Sequence, residues 1–356
     1  MSSYSVNTNS KTIISLSERK VIFFSFNDFY DDIICKDSCF ICGYELNNEN
    51  STNEHIIPKW VIKRFDLYNK NITLPNGALQ QYSKYTTPCC KDCNKELGEK
   101  VENPISKLLK NNYASLISKL KTSSSYYQDI FKWICLIFLK THLKDRQYNQ
   151  TLDFRKNDGK ISDIYNWNFF HHVHCMSRVH HTNALVDTNV YGSLLILPVI
   201  TYSEIESFDY IDNHSANTAM IQIGDFCIIA VLNDSCAVQS LFQSYIQKIN
   251  GRLNRQQIIE IFVHFSYLNL NLKNRSIYKS TITNLEYKII AEVPEIIELY
   301  EKEFEKVKIG DLMYNYLHKS IPENISNREE LITELKEGKR QFLFDNEGNF
   351  LQNLYI

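Results

Sequence analysis

Cys39-Phe40-Ile41-Cys42-Gly43 and Cys90-Lys91-Asp92-Cys93 are the two stretches whose reading decides the fold. A two-residue gap lets both thiolates of a pair reach one ion from a tight knuckle, and two knuckles complete the tetrahedral shell that zinc prefers. Four soft ligands in a closed shell make a structural site rather than a catalytic one. Such an ion supplies roughly 10 kcal/mol or more of folding free energy, which a loop-rich segment of this size needs. Cys89 stands beside Cys90 and is an alternative ligand, but only Cys90 has the two-residue gap to Cys93.

Outward from the cysteines, the composition sets the class. At 44% hydrophobic and 22% charged residues the chain has the balance of a folded protein rather than a disordered one. Its 356 residues exceed what one small core organises, so two domains are expected. The polar stretch Met1 to Lys20 does not read as a signal peptide, so a cytoplasmic, reduced chain is expected, in which paired cysteines point to metal ligation rather than disulfides. The apolar run Trp133 to Leu139 is too short for a bilayer span, so no membrane partner is expected. A net charge of −2 excludes coating of nucleic acid by bulk electrostatics and leaves only a local patch.

Between the knuckles lies Glu54-His55-Ile56-Ile57-Pro58-Lys59-Trp60, and Asn94 follows the second knuckle directly. In this order the motifs resemble the HNH endonucleases of the ββα-metal group, in the branch whose hairpin and helix are pinned by a four-cysteine zinc site. The resemblance covers about residues 35 to 107. It implies DNA as partner, a Glu-His pair on the first strand, and a helix begun by the Asn. The middle Asn of the family falls near Lys84 or Tyr85, leaving its place unfilled unless Asn76 takes it. A second helix ligand would fall at Leu97 or Gly98, neither of which binds metal.

The chemistry stands beside the family name. Phosphodiester cleavage needs a base to activate water, and the neutral imidazole of His55 suits that at cellular pH. It also needs a cation, and Mg²⁺ or Mn²⁺ accepts few protein ligands because it keeps waters and takes phosphate oxygens. Glu54 offers a carboxylate and Asn94 an amide oxygen. Adjacent side chains of a regular strand point to opposite faces, so Glu54 and His55 cannot both face the metal from a regular strand; the resemblance implies an irregular strand that places base and ligand on opposite sides of the scissile phosphate. From His55 to Lys110, ten basic residues stand against five acidic ones. Lys59, Lys63, Arg64 and Lys95 are the candidates for phosphate contact.

The expected architecture is α+β: a flexible lead-in at 1–20, a zinc-stapled ββα-metal (HNH) module at 21–115 with little helix until its end, and a larger mixed α/β domain at 116–356. Ser123 to Lys144 is expected to be a buried helix forming the spine of that second domain. Strands are expected at Val21–Phe26, Trp167–Val173, Leu195–Ile200 and Tyr287–Val293, a hairpin at Ala219–Leu232, and a long charged helix from Pro294 toward His318. The cluster His171, His172, His174, His180 and His181 reads as a polar strand face or ligand-contacting surface ahead of a metal site, because no partner carboxylate or cysteine pair recurs at ligand spacing. The second domain is expected to serve targeting, homo-oligomerisation, or control through an activating ligand or partner protein. Restriction-like or anti-phage defence is the setting that the resemblance suggests. The alternative is a catalytically inactive zinc module that only binds DNA or RNA.

Overall fold

A computed structural model describes residues 4–153, 155–156, 158–201, 207–283, 286–321 and 323–352. The chain divides into two compact units: the first comprises residues 1–111, 118–190 and 278–291, the second residues 112–117, 191–277 and 292–356.

The first unit opens with a small antiparallel sheet of β1 (Tyr4–Val6), β2 (Ile13–Ser15) and β3 (Lys20–Phe23). The expected flexible lead-in is therefore ordered from Tyr4 onward, because Ile13 and Ser15 bury their side chains and anchor it. After α1 (Phe26–Asp28) and a π-helical turn to Ile34 comes the first knuckle, then β4 (Ser51–His55). Ile56 and Ile57 are fully buried, and Pro58 caps α2 (Lys59–Arg64), a helix the sequence reading did not place inside the module. A short hairpin of β5 (Asn71–Thr73) and β6 (Leu79–Gln81) turns at Gly77, whose φ of +83° needs glycine.

The chain then pairs β7 (Thr86–Cys90) antiparallel with β4 and runs directly into α3 (Lys91–Leu97). A π-helical stretch, Gly98–Glu102, leads to α4 (Asn103–Leu108), with Pro104 just where the π-helical stretch passes into α4. Beyond α5 (Tyr113–Leu120), α6 (Ser125–Asp145) is buried on nearly every side from Ile130 to Leu143.

This α6 is no spine of a second domain: it lies in the first unit, packed against β7, α4 and α7 (Asn168–Ser177). The expected strand at Trp167–Val173 is in fact that helix. Phe170, Val173, His174 and Ser177 recur at helical spacing and all are buried, so the 3.6-residue period prevailed over the aromatic content. After the turn α8 (Val179–Thr182) comes β8 (Leu185–Val186).

The second unit is built on an antiparallel sheet ordered β10-β11-β12-β9, from β9 (Leu194–Pro198), β10 (Phe208–Asn213), β11 (Thr218–Ile223) and β12 (Phe226–Val231). The two central strands are buried at every residue, which is why they read as continuous apolar runs. Against them pack α9 (Ala237–Ile246) and α10 (Arg255–Leu270), the latter started by a reciprocal Asn254–Gln257 capping box. The chain returns to the first unit through β13 (Ile277–Thr283) and β14 (Glu286–Glu292), which pairs parallel with β8.

The long charged helix expected from Pro294 is absent. Lys273 N–H donates to Glu298 O, Tyr300 N–H donates to Asn271 O, and after a single 3-10 turn at Lys302–Phe304 the α-helix resumes only at α11 (Ile309–Leu317) before α12 (Arg328–Lys336). Opposite charges three or four apart contribute only about 0.2–0.5 kcal/mol per pair and did not outweigh that pairing. The tail folds back through the pair Phe344–Phe350, and Glu260 accepts from the Phe342 and Leu343 amides. Among the described residues no helix is long and apolar enough to cross a membrane.

Candidate metal centre and the hairpin beside it

The sulfurs of Cys39, Cys42, Cys90 and Cys93 all lie within 4.8 Å of one another, and all four residues are buried. Zinc–sulfur bonds of about 2.3 Å at tetrahedral angles place sulfurs roughly 3.8 Å apart. Cys42 Sγ and Cys90 Sγ are 3.7 Å apart, so the donor set fits zinc and the cluster can hold a structural ion.

The local chain explains the fit. In the first knuckle Gly43 N–H donates to Cys39 O with φ +79°, and a Cβ there would meet the Phe24 ring at 2.5 Å. In the second, Cys90 is the N-cap of α3, and its sulfur accepts the Cys93 amide at 3.4 Å. Cys89 Sγ approaches Cys39 at 3.6 Å but is not one of the four mutually close sulfurs. Hydrogen bonds led by that from Cys42 hold the Cys39 thiol far below its usual range, whereas Cys42 and Cys93 are raised, as when one thiolate serves a shared cluster. A bound metal would deprotonate the whole set.

Helix α7 and the turn after it clamp the first knuckle by its backbone. His174 Nε2–H donates to Phe40 O at 2.9 Å and His171 Nε2–H to Phe24 O at 2.7 Å. Arg178, 1% exposed, donates to the carbonyls of Ile41, Ile22 and Val21 and lies over the Phe24 ring at 4.6 Å. His172 stacks on Tyr278 with ring centres 3.6 Å apart. Burial depresses all these imidazoles, His172 to about 3 and His180 to about 4, so they are neutral packing elements. Only His181 joins possible ligand atoms, bonding Glu96 at 2.7 Å beside Cys93.

Glu54 and His55 end β4 in an unbroken ladder, Glu54 opposite Thr87 and His55 opposite Thr86. No register shift interrupts the pairing, so the irregular strand implied by the resemblance is not what separates the two side chains; ordinary alternation does. Glu54 turns inward. Its Oε1 accepts from Lys140 Nζ at 2.8 Å, and the same ammonium donates to His55 O at 2.7 Å. Lys140 is fully buried on α6, with Glu102 Oε1 4.0 Å away. Trp60 Nε1–H donates to Glu102 Oε2 at 3.1 Å and stacks on Trp133. The other Glu102 oxygen has no hydrogen-bond partner, and burial, opposed by Lys140, pushes this carboxyl up to about 7.

No protein-family model, curated protein or solved structure matches the chain.

The remaining candidates sit around this hairpin. His55 is half-buried, and its imidazole is held below its ordinary pKa by burial and then by the Lys59 charge. Asn94 is half-buried on α3, which packs against β4 and β7. Lys59, Lys63 and Lys95 are exposed, but Arg64 donates to Leu109 O at 2.9 Å and serves the end of α4. Asn76 is committed elsewhere: its Oδ1 accepts the Ala78 amide and its Nδ2 donates to Asn149 O. Tyr85, at the place of the family's middle Asn, is buried.

Lys140 and Glu102 escaped the sequence reading. The available signal was a lysine on a helix with no polar face.

Proposed function

We propose that the first unit is a metal-dependent endonuclease of the HNH type acting on DNA, with the second unit serving targeting or control. One observation carries this reading: the strand ending in Glu54-His55 pairs with the strand that enters the second knuckle, and that knuckle opens the helix bearing Asn94. His55, neutral at physiological pH, takes the proton from the attacking water. Glu54 and Asn94 are the hard oxygen donors that would hold Mg²⁺ or Mn²⁺, with only one Glu54 oxygen committed to a hydrogen bond by Lys140. The ion, when bound, neutralises charge developing on the phosphate and leaving oxygen. Lys59, Lys63 and Lys95 supply exposed positive charge for the phosphates.

The test is plasmid incubated with Mg²⁺ or Mn²⁺ beside the His55→Ala variant. Nicking by the wild type, lowered at least about 100-fold by the substitution with folding and DNA binding retained, is the expected result. The second reading, a zinc module that binds nucleic acid without cutting, draws on the engagement of Glu54 by Lys140 and on the missing middle Asn. It requires equal, negligible cutting by both proteins.

A further inference from the structure

Lys140 Nζ occupies a place suited to a cation. Three oxygens surround it, Glu54 Oε1 at 2.8 Å, His55 O at 2.7 Å and Glu102 Oε1 at 4.0 Å, and water does not reach its side chain. An ammonium in the interior is tolerated only when paired and hydrogen-bonded, and these oxygens supply both. The same arrangement opposes a second cation. Any divalent ion held by the second oxygen of Glu54 would stand within a few ångströms of that fixed positive charge, in a setting where water screens little.

We infer that Lys140 is a built-in competitor for the divalent metal, so that Glu54 captures the ion only when a nucleic-acid phosphate adds its negative charge. This rests on the nuclease reading above and adds its regulation: metal and substrate enter together, and the metal alone binds poorly. Glu102 is the counterweight. It shares the ammonium with Glu54, so in its ionised form, above about pH 7, its charge moderates the competition from behind the hairpin. A purely structural role for the triad predicts that damage to any member weakens the site, whereas competition predicts opposite signs for Lys140 and Glu102.

The experiment is a Mn²⁺ titration of the zinc-loaded full chain, read by the electron paramagnetic resonance of free Mn²⁺, with Glu54→Gln marking the site. Without DNA, Lys140→Met is expected to tighten Glu54-dependent Mn²⁺ binding on the order of tenfold or more, because a repulsive charge has left. Glu102→Gln, nearly isosteric, is expected to weaken it several-fold, since the ammonium then belongs to Glu54 alone. A short DNA duplex, added in a His55→Ala background so that nothing is cut, is expected to tighten the site strongly, and much less so when Lys140→Met is also present.

Lys140→Met that keeps its zinc and binds Mn²⁺ no better than wild type overturns the inference. If that variant does not fold, Glu102→Gln with unchanged or tighter Mn²⁺ binding overturns it equally. Plasmid cutting by a wild type whose Mn²⁺ affinity ignores DNA removes the competition but leaves the nuclease. Absence of Glu54-dependent Mn²⁺ even with duplex present removes both.

Discussion

The sulfur cluster and the oxygen cluster of the first unit solve one problem in opposite ways. Both gather charged or ionisable groups in the interior, close to the same hairpin. Around the four cysteines the set is uniform, soft and closed, and α7 and the residue after it hold the first knuckle's backbone through His174 and Arg178. Around Glu54 the set is mixed, and the cation is already part of the chain. The first arrangement suits an ion that completes a fold; in the second a positive charge is supplied by the chain itself. Structural and catalytic metals differ in the same way, because a permanent ion needs a shell with no alternative occupant.

The comparison breaks most visibly at the sulfurs. Cys93→Ser, or chelation of the ion, is expected to unfold the first unit, with a loss that can approach the roughly 10 kcal/mol of a structural zinc site. Zinc content and thermal denaturation followed together check it. Glu54→Gln, by contrast, should leave zinc content intact, because its carboxylate lies outside the sulfur shell.

A smaller effect sharpens the role of α7. Arg178→Met leaves three backbone carbonyls, two of them buried, without that donor and is expected to cost about 3 kcal/mol in denaturant unfolding, with the four thiols still competent to bind the ion.

The smallest effect is in pH. Burial lowers His142 to about 4, and an unfolded histidine titrates near 6.5, so between those values the unfolded chain binds more protons. This stability is present in full above about pH 6.5 and is lost as pH falls toward 4. Melting measured across that window should therefore decline more steeply for wild type than for His142→Gln, by about 2 kcal/mol at its acid end.

Much of this was legible. The two cysteine pairs announce themselves by spacing, and the hairpin strands flanking Gly224-Asp225 do so by their apolar runs. The path from Glu54-His55 to Asn94 follows from motif order. Lys140 was not legible, because its partner lies 86 residues earlier and no local period links the two. The histidines were misread for a related reason. The donors of His171 and His174 go to the carbonyls of Phe24 and Phe40, more than a hundred residues away, and backbone acceptors carry no sequence signature. The lead-in failed differently: polar residues there hide Ile13, whose burial is enough to order a small sheet.

The late return of β13 and β14 to the first unit governs how the chain can mature. On a ribosome, most of the second unit emerges while β8 still lacks its parallel neighbour, so the unit begun first is also finished late. A truncation after residue 190 would expose that edge. An isolated first unit must therefore carry residues 278–291, and a short linker joining residue 190 to residue 278 is the natural way to supply them.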